Sequence, residues 1–452
     1  MSDDLPEGWV EAKIGDVLYL VNGFAFKPSH WMKSGLPIIR IQNLNNPNAC
    51  FNYFDGTLPE KVRIKRGDLL FAWSGTPGTS FGTHIWKGGD AWLNQHIFRV
   101  EFDNRLFNKF FLRHAINQNL DQYIAQAHGC AGLAHITKGM FEASTLRVAP
   151  LAEQCRIVAK LEELLGKVDA CQKRLAKVPV LLKRFRQSVL AAACSGRLTE
   201  DWRDKVTDQE KQVIRQVNPE LNVKIERIVD TPDYWRWRTL QALCDPVRSI
   251  CYGVIKLGIE YPNGIPCLRT SDVKPLCIDT INVKRISPSI SNKYSRTILC
   301  GNEILVNVRG TLGGVAVVPP SLKGWNISRE VALVPIDGVL PMYVAFWIAS
   351  SFCQNWLTKV VKGVAYSGIN IEDLRILPIA LPSTTEQKEI VRRVEELLAL
   401  ANRIEERYKK AKVQVDKLTQ SILAKAFRGE LVPQDPNDEP ASVLLERIRA
   451  EG

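Results

Sequence analysis

The stretch EQCRIVAKLEELL at residues 153–165 returns as EQKEIVRRVEELL at residues 386–398. The second copy starts 233 positions after the first, and the match continues without a gap to SVLAAACSGRL at 188–198 and SILAKAFRGEL at 421–431. Over these 46 aligned positions, 18 residues are identical. A repeat of this kind predicts that the chain contains one architecture twice.

The aligned segments carry apolar residues at alternating steps of four and three, which is the 3.5-residue period of a coiled-coil helix. In the second copy this series runs from Ile390 to Ile422, and subtraction of 233 gives an apolar series from Ile157 to Val189. Because a packed helix loses its register with any insertion, the gapless match predicts two long helices. Each apolar seam needs a partner, so we expect the two helices to pack antiparallel, with the globular regions at opposite ends. Pro179 should kink or interrupt the first helix, since it lacks an amide hydrogen.

A weaker repeat precedes each helix. Residues 37–40 (PIIR) correspond to 266–269 (PCLR), and residues 68–70 (DLL) to 303–305 (EIL), with an offset that varies between 226 and 235. Short strand-like runs separated by Gly, Asn and Pro precede a helix-like stretch in each copy, which is typical of the α+β class. The predicted organisation is a first globular domain at 1–150, a helical region at 151–198, a linker at 199–230, a second globular domain at 231–382, a second helical region at 383–431 and a tail with a short helix at 432–452.

The composition narrows the class of protein. The 452 residues include 60 Lys and Arg against 48 acidic residues, which gives a net charge of +12 and favours a polyanionic partner, with nucleic acid first. An apolar share of 45% and a charged share of 24% exclude a disordered or membrane-embedded chain. The acidic start Met1-Ser2-Asp3-Asp4 leads us to expect no signal peptide. The 11 cysteines form no C-x-x-C pair, so we expect a cytoplasmic protein with reduced thiols and no metal site.

Motifs for catalysis are missing from the sequence. It contains no G-x-x-x-x-G-K-[ST] loop for ATP, no G-x-G-x-x-G after a strand and no Asp/Asn-Pro-Pro-aromatic segment of adenine methylation. Glu386-Gln387-Lys388 resembles a fragment of a nuclease motif, but the first copy has Cys155 in place of the lysine, so we interpret the match as chance. The sequence therefore predicts a chain that is not an enzyme and binds no cofactor itself.

Polar, aromatic and cationic residues gather in the predicted loops of both globular domains. Gln and Asn can bond adenine bidentately and Arg or Lys can bond guanine, so such loops can read bases; the alternative is ordinary turn and capping chemistry. The candidates in the first domain are Asn22, Lys27, Arg40, Gln42, Asn43, Ser74, Thr76, Asn94, Gln95 and His96. Those in the second domain are Tyr252, Lys256, Arg269, Thr270, Ser271, Asn307, Arg309, Thr311, Asn326, Ser328 and Arg329.

Several motifs together resemble one known family. They are LPEGW from Leu5, PIIRIQNL from Pro37, GDLLFAWSGTPG from Gly67, NQH from Asn94 and PLAEQCRIVAKLEELL from Pro150. Over essentially its whole length the chain resembles the DNA-specificity subunit of type I restriction-modification systems. The second domain departs more, with residues 302–303 (Asn-Glu) where the first has Gly67-Asp68, and residues 329–330 (Arg-Glu) near the position of Gln95-His96.

The resemblance implies a non-catalytic scaffold with two target-recognition domains, each reading one half of a split asymmetric DNA site. It implies that the antiparallel helices fix the spacer and dock two adenine methyltransferase subunits, and that a motor-nuclease restriction subunit joins them. S-adenosylmethionine, ATP and Mg²⁺ would then be bound by the partner subunits. Domains that contact one face of the duplex should have half-site centres about 10 base pairs apart. Two other classes stay open: a restriction endonuclease with an unrecognised active site, and a stand-alone DNA-binding or structural tether protein.

Overall fold

A computed structural model describes residues 5–46, 49–75, 80–120, 123, 134–207, 225–310, 313–360 and 368–451. The chain divides into two compact units. The first unit comprises residues 1–176 and 410–452, and the second comprises residues 177–409. We call residues 5–148 the first head and residues 232–381 the second head.

The first unit contains twelve strands among its described residues. They are β1 (Val10–Lys13), β2 (Leu18–Asn22), β3 (Leu36–Ile39), β4 (Asn52–Phe54), β5 (Arg63–Ile64), β6 (Leu69–Ala72), β7 (Ser74–Gly75), β8 (Gly82–Ile85), β9 (Ala91–Leu93), β10 (Ile97–Phe102), β11 (Ala134–His135) and β12 (Thr145–Val148). Its helices are α1 (Ile14–Val17), α2 (Ile41–Asn45), α3 (Lys109–Gln118), α4 (Lys138–Ala143) and α5 (Leu151–Leu175), with 3₁₀ turns at Pro28–His30 and Glu60–Val62.

Two four-stranded sheets form the centre of the first head, in the orders β2-β10-β6-β8 and β4-β3-β9-β5. β3 and β9 run parallel, whereas the other pairs in the two sheets are antiparallel. β1 pairs with β12 and so joins the beginning of the head to its end. Apolar residues of β2, β6 and β10 share one core with α3, where Phe71 and Phe111 are fully buried.

The second unit contains eleven strands among its described residues. They are β13 (Arg236–Thr239), β14 (Cys251–Tyr252), β15 (Ile265–Leu268), β16 (Val273–Lys274), β17 (Cys277–Ile278), β18 (Arg285–Ile286), β19 (Ile304–Asn307), β20 (Val315–Val317), β21 (Asn326–Ile327), β22 (Val331–Val334) and β23 (Pro378–Leu381). Its helices are α6 (Val178–Cys194), α7 (Glu200–Arg203), α8 (Pro288–Lys293), α9 (Pro341–Ala349), α10 (Ser351–Val360), α11 (Ile371–Arg375) and the part of α12 (Thr384–Ala426) before residue 410, with 3₁₀ turns at Arg197–Thr199, Leu240–Leu243, Ser295–Thr297 and Pro320–Leu322.

The sheets of the second head repeat those of the first. The order β14-β22-β19-β20 corresponds to β2-β10-β6-β8, and β13-β23 corresponds to β1-β12. β18-β15-β21 corresponds to β4-β3-β9, including the parallel pair β15 and β21. The internal repeat therefore extends to both heads, where the sequence shows it only faintly, and the α+β class is confirmed.

The long helices pack antiparallel within each unit. In the first unit, Leu161 of α5 shares a core with Phe427, and Gln172, later in α5, donates to Asp416 at 3.5 Å, earlier in α12. This unit also contains the terminal helix α13 (Ala441–Glu451), which buries Leu444 and Leu445.

The second unit uses the other halves of the same helices. Arg186 of α6 forms an ion pair with Glu405 at 2.6 Å, and Val189 shares a core with Ile390 and Val394 of α12. The predicted seam is thus buried near the heads, but Ile404 is 42% exposed.

The first long helix is interrupted, as Pro179 predicts. α5 ends at Leu175 and α6 begins at Val178, with Ala176 and Lys177 between them. Pro179 lies in the first turn of α6, where its missing amide hydrogen leaves no intrahelical bond unmade. Among the described residues, no helix is both long and apolar enough to cross a membrane.

Candidate nucleic-acid interface

The carboxyl ends of four strands meet at one edge of the first head. The amide of Phe24, two residues after β2, donates to the Leu93 carbonyl of β9 at 2.8 Å, and the amide of Gln95 donates back to the Phe24 carbonyl at 3.0 Å. The amide of Trp73, after β6, donates to the His96 carbonyl at 3.4 Å. We call this edge the first reading edge.

The amide of Asn94 completes it by donating to the carbonyl of Ile39, the last residue of β3, at 3.2 Å. Residues that are far apart in sequence thereby come together at the strand ends of the first head.

The second head builds the same hydrogen-bonded frame. The amide of Val254 donates to the Ile327 carbonyl at 2.8 Å, and the amide of Arg329 donates back to Val254 at 2.9 Å. The amide of Ser328 donates to the Leu268 carbonyl at 2.8 Å. Arg329 therefore occupies the position of Gln95, which agrees with the correspondence seen in the sequence. We call this edge the second reading edge.

Two glycines allow the backbones to approach this closely. A Cβ atom on Gly23 would lie 2.1 Å from the Asn94 carbonyl oxygen, and one on Gly253 would lie 2.0 Å from the Ile327 carbonyl oxygen. Neither distance is possible for a real side chain, so both frames require glycine. These two glycines are not among the residues predicted from the sequence, although each one directly follows a predicted candidate, Asn22 or Tyr252.

Gln95 and His96 lie at the centre of the first reading edge, and both are half-buried. Their side chains meet with 3.3 Å between Gln95 Nε2 and His96 Nε2, and the His96 ring lies 5.3 Å from the Trp73 ring. Gln95 Oε1 is buried and has no hydrogen-bond partner among the residues that the structure describes. An unbonded buried amide oxygen is costly, so a donor supplied by a ligand would lower the free energy of this group.

The exposed candidates of the first head surround this centre. Asn22, Lys27 and Gln42 are exposed, and the Arg40 guanidinium lies 5.4 Å from the centre of the Trp31 ring. Residues 17–54 contain three Lys and Arg residues and no carboxylate. This segment of the first head therefore carries positive charge and has no carboxylate of its own to neutralise it.

The structure uses two candidates of the first head to hold the backbone. Asn43 Oδ1 accepts from the Arg40 amide at 3.0 Å, and its Nδ2 donates to the carbonyls of Ala49 and Cys50 at 3.4 and 3.3 Å. Asn94 is buried and accepts from the His96 amide at 3.4 Å.

Two further candidates lie beside the first reading edge. Ser74 is half-buried and pairs with His135 between β7 and β11. Thr76 lies outside the described residues.

The second reading edge exposes cations. Arg309 and Lys256 are exposed, and the Arg309 guanidinium lies 5.7 Å from the centre of the Tyr252 ring. Arg329 is exposed and lies 3.5 Å from the carboxylate of its neighbour Glu330. The Tyr252 hydroxyl is held in place, since it donates to the Ile369 carbonyl at 3.3 Å.

The remaining candidates of the second head hold its loops. Asn307 is buried and donates to the carbonyls of Thr270 and Val273 at 3.1 and 3.0 Å. Asn326 is fully buried, and its Oδ1 accepts from the Thr297 hydroxyl at 2.7 Å.

A buried carboxylate organises the neighbouring turn. The Asp272 carboxylate accepts from Arg269 Nε at 3.2 Å and from the Ser271 hydroxyl at 2.7 Å. Ser328 is fully buried, and Thr311 lies outside the described residues.

Buried carboxylates support both heads, a role that the sequence analysis did not assign. The Trp9 indole donates to Glu153 Oε2 at 3.0 Å, and the Trp235 indole donates to Glu386 Oε2 at 3.1 Å. Both glutamates lie in the first turn of a long helix and are buried. The signal was present in the repeat, since the Trp and the Glu recur at corresponding places in both copies.

The two carboxylates differ in how well they are bonded. Glu386 Oε1 also accepts from the Thr199 hydroxyl at 2.8 Å and from Arg203 Nη1 at 2.9 Å, whereas Glu153 Oε1 has no hydrogen-bond partner among the described residues. Burial accordingly raises the pKa of Glu153. These groups bind the heads to the helices. Among the described residues, no group of three His, Cys, Asp or Glu side chains could hold a metal ion.

The comparison with known families decides the identity. Residues 6–179 and 256–414 match the family model described as the type I restriction modification DNA specificity domain. The chain belongs to this family. The two matched regions correspond to the two copies of the internal repeat.

Individual relatives agree with the family. The chain is 36% identical over 458 aligned residues to the EcoBI specificity subunit of Escherichia coli, covering 98% of this chain and 92% of that protein. It is 30% identical over 475 aligned residues to the EcoKI specificity subunit of Escherichia coli strain K12, covering 99% and 96%. Both relatives are named as specificity subunits of type I restriction enzymes.

Solved structures show the same fold. The HsdS subunit from Thermoanaerobacter tengcongensis superposes with a TM-score of 0.60 at 20% identity, covering 94% of this chain and 98% of that one. A chain solved in work on complex assembly and conformational transition of the type I R-M system gives a TM-score of 0.66 at 20% identity, covering 94% and 99%. Membership of the type I specificity family gives the chain the DNA-specificity role in a restriction-modification complex, which is a non-catalytic role.

Proposed function

We propose that each reading edge recognises one half of a bipartite, asymmetric DNA site whose halves are separated by a non-specific spacer. We further propose that the long helices dock two adenine methyltransferase subunits and that restriction subunits join this assembly. S-adenosylmethionine, ATP and Mg²⁺ would be bound by those partners, and this chain would supply the choice of sequence.

One observation carries the proposal: the two heads use the same backbone frame to present different side chains. Gln95 and Arg329 occupy equivalent positions in this frame. The Gln95 amide donates to the Phe24 carbonyl at 3.0 Å, and the Arg329 amide donates to the Val254 carbonyl at 2.9 Å. A shared frame with different side chains is what two readers of dissimilar half-sites require. A purely structural tether has no need to vary the side chain at the centre of a conserved geometry.

The exchanged side chains differ in the bases that they suit. An amide such as that of Gln95 pairs bidentately with the N6 and N7 positions of adenine, whereas a guanidinium such as that of Arg329 pairs with O6 and N7 of guanine. Gln95 Oε1 lacks a partner within the described part of the chain, and Arg329 is exposed. We therefore propose Gln95 and Arg329 as base-reading residues.

Exposed cations near the two centres suit the DNA backbone. Lys27 and Arg40 lie in the segment of the first head that contains no carboxylate, and Lys256 and Arg309 are exposed in the second head. Lysine and arginine contacts to phosphates fix register and supply affinity that falls with salt concentration. The proposed interface leaves out Asn43, Asn307 and Asn326, whose side chains hold the fold.

The proposal is tested by co-expressing the full chain with the candidate methyltransferase and mapping modified adenines across the host DNA. We expect stable co-purification and a motif split into two defined parts, with centres about 10 base pairs apart. A single contiguous motif would contradict two separate readers. A chain that purifies alone, with no modified adenines, would contradict the methyltransferase scaffold.

A further inference from the structure

The first head contains a cleft that the reading edge does not use. It has a volume of about 730 Å³ and lies between α2, the end of β8 and α3. Three aromatic rings line it, namely Phe51, Trp86 and Phe110. The Phe51 and Trp86 rings meet edge to face at 6.5 Å, and Phe110 is 41% exposed. The size is within the range of small-molecule sites, and flat apolar walls suit a ring system.

The charged side chains that line the cleft are all positive. Lys87 and Arg113 are the charged residues among the described residues that line it, and no Asp or Glu is present there. Burial lowers the pKa of His84 and so disfavours its charged form, and its Nε2 lies 3.2 Å from the Ser80 carbonyl oxygen. The cleft therefore favours an anion.

Arg113 is the decisive residue, since its guanidinium has no partner within the described protein. Its Nε is buried without a hydrogen bond, and burial lowers the pKa of the side chain. Other arginines of the same head are neutralised: Arg63 lies 2.6 Å from Asp90, and Arg105 lies 2.7 Å from Asp103. A half-buried charge without a partner lowers the stability of the fold, and such a cost is typical of a binding site.

We propose that this cleft binds a nucleotide, with the phosphate against Arg113 and the base or sugar against the aromatic rings. A guanidinium binds phosphate oxygens bidentately, and aromatic side chains stack on any base. The nucleotide has two sources, a free mononucleotide or a nucleotide within a DNA strand. Only the second source rests on the proposed function.

The test is calorimetric titration of the full chain with deoxyadenosine monophosphate, adenosine and inorganic phosphate, in the absence of DNA. We expect the monophosphate to bind more tightly than either part alone. Arg113→Met should weaken its binding at least about tenfold, a difference of about 1.4 kcal/mol. Arg105→Met removes the same charge from a paired arginine and should leave binding unchanged.

Two further readouts separate a binding role from a structural one. Arg113→Met should raise the thermal midpoint of the free protein, because it removes an unpaired charge; a lower midpoint would show a structural arginine and overturn the proposal. Phe110→Ala removes an exposed ring. It should weaken the binding of the monophosphate and leave the binding of inorganic phosphate unchanged. This second variant tests the aromatic wall of the cleft independently of Arg113.

The titrations also have outcomes that would overturn the proposal or identify the source of the nucleotide. Equal binding of the monophosphate to wild type and Arg113→Met, or no binding, would overturn the proposal. Tighter Arg113-dependent binding of an acidic phenylalanine-containing peptide would show a protein ligand and also overturn it. Competition between the monophosphate and cognate duplex would identify a DNA strand as the source, whereas simultaneous binding would identify a free nucleotide. A chain that binds the monophosphate but no DNA would contradict the proposed function alone.

Discussion

The indole of Trp9 donates a hydrogen bond to Oε2 of Glu153 at 3.0 Å, across 144 residues of sequence. It connects the beginning of the first head to the first turn of a long helix. Trp235 and Glu386 repeat the bond in the second head at 3.1 Å. A buried carboxylate therefore anchors each head to its helix, and the two anchors differ only in their additional partners.

The difference predicts opposite results for the same substitution. Glu386→Gln removes the carboxylate that forms an ion pair with Arg203 at 2.9 Å, so we expect a loss of about 2–4 kcal/mol in the free energy of unfolding. Glu153→Gln removes a buried charge whose Oε1 has no partner in the described ranges of the chain, so we expect a change in the free energy of unfolding within about 1 kcal/mol, or a gain. Urea denaturation of both variants measures this. Equal losses would show that the two anchors are energetically alike.

The pH dependence of Glu153 follows from the direction of its pKa shift. Burial raises its pKa in the folded state, so ionisation costs the fold stability once the pH rises above the ordinary carboxyl range. Below that range the carboxyl is protonated in both states and the cost vanishes. The stability gained by Glu153→Gln should therefore be larger at pH 8 than at pH 4. Thermal unfolding across this interval checks it, and a gain that grows on acidification would contradict the assignment.

The seam of α12 predicts unequal costs for two isoleucines. Ile390 is fully buried, whereas Ile404 is 42% exposed at an equivalent position of the heptad. We expect Ile390→Ala to cost about 3–4 kcal/mol and Ile404→Ala less than about 1 kcal/mol. Denaturant unfolding gives both values. Similar costs would mean that the seam is packed evenly along its length.

The frame of the first reading edge predicts that Gly23 tolerates no side chain. Gly23→Ala should cost about 2 kcal/mol or more, because the new Cβ would lie 2.1 Å from the Asn94 carbonyl oxygen. Gly166, in α5, has open space around it, so Gly166→Ala should stabilise the chain by about 0.5–1 kcal/mol. Unfolding measurements compare the two. Gly23→Ala with unchanged stability would show that the frame is not as tight as described.

The helices could be predicted from sequence because packing fixes their register. The gapless match between residues 153–198 and 386–431 left no room for insertions, and the interruption near Pro179 followed from its missing amide. The heads were harder, since their loops differ in length and shift the offset. The equivalence of Gln95 and Arg329 became firm only through their shared hydrogen bonds.

The candidate residues show where sequence reasoning ends. The sequence alone does not distinguish a loop asparagine that faces DNA from one that holds a turn. In the structure, Asn307 and Asn326 are buried and bond to backbone carbonyls and a hydroxyl. The Arg113 cleft was not found at all, because its walls come from three separate segments. Burial and pairing decide such cases, and neither is visible in residue type alone.

The most direct test of two independent readers is adenine-modification mapping with Gln95→Ala and Arg329→Ala in separate complexes. Loss of a bidentate base contact removes about 1–3 kcal/mol of discrimination at one position. We predict that each variant relaxes the motif in one half only, that the two variants affect opposite halves, and that the spacer stays the same. Changes in both halves from either variant, or unchanged motifs from both, would contradict the account.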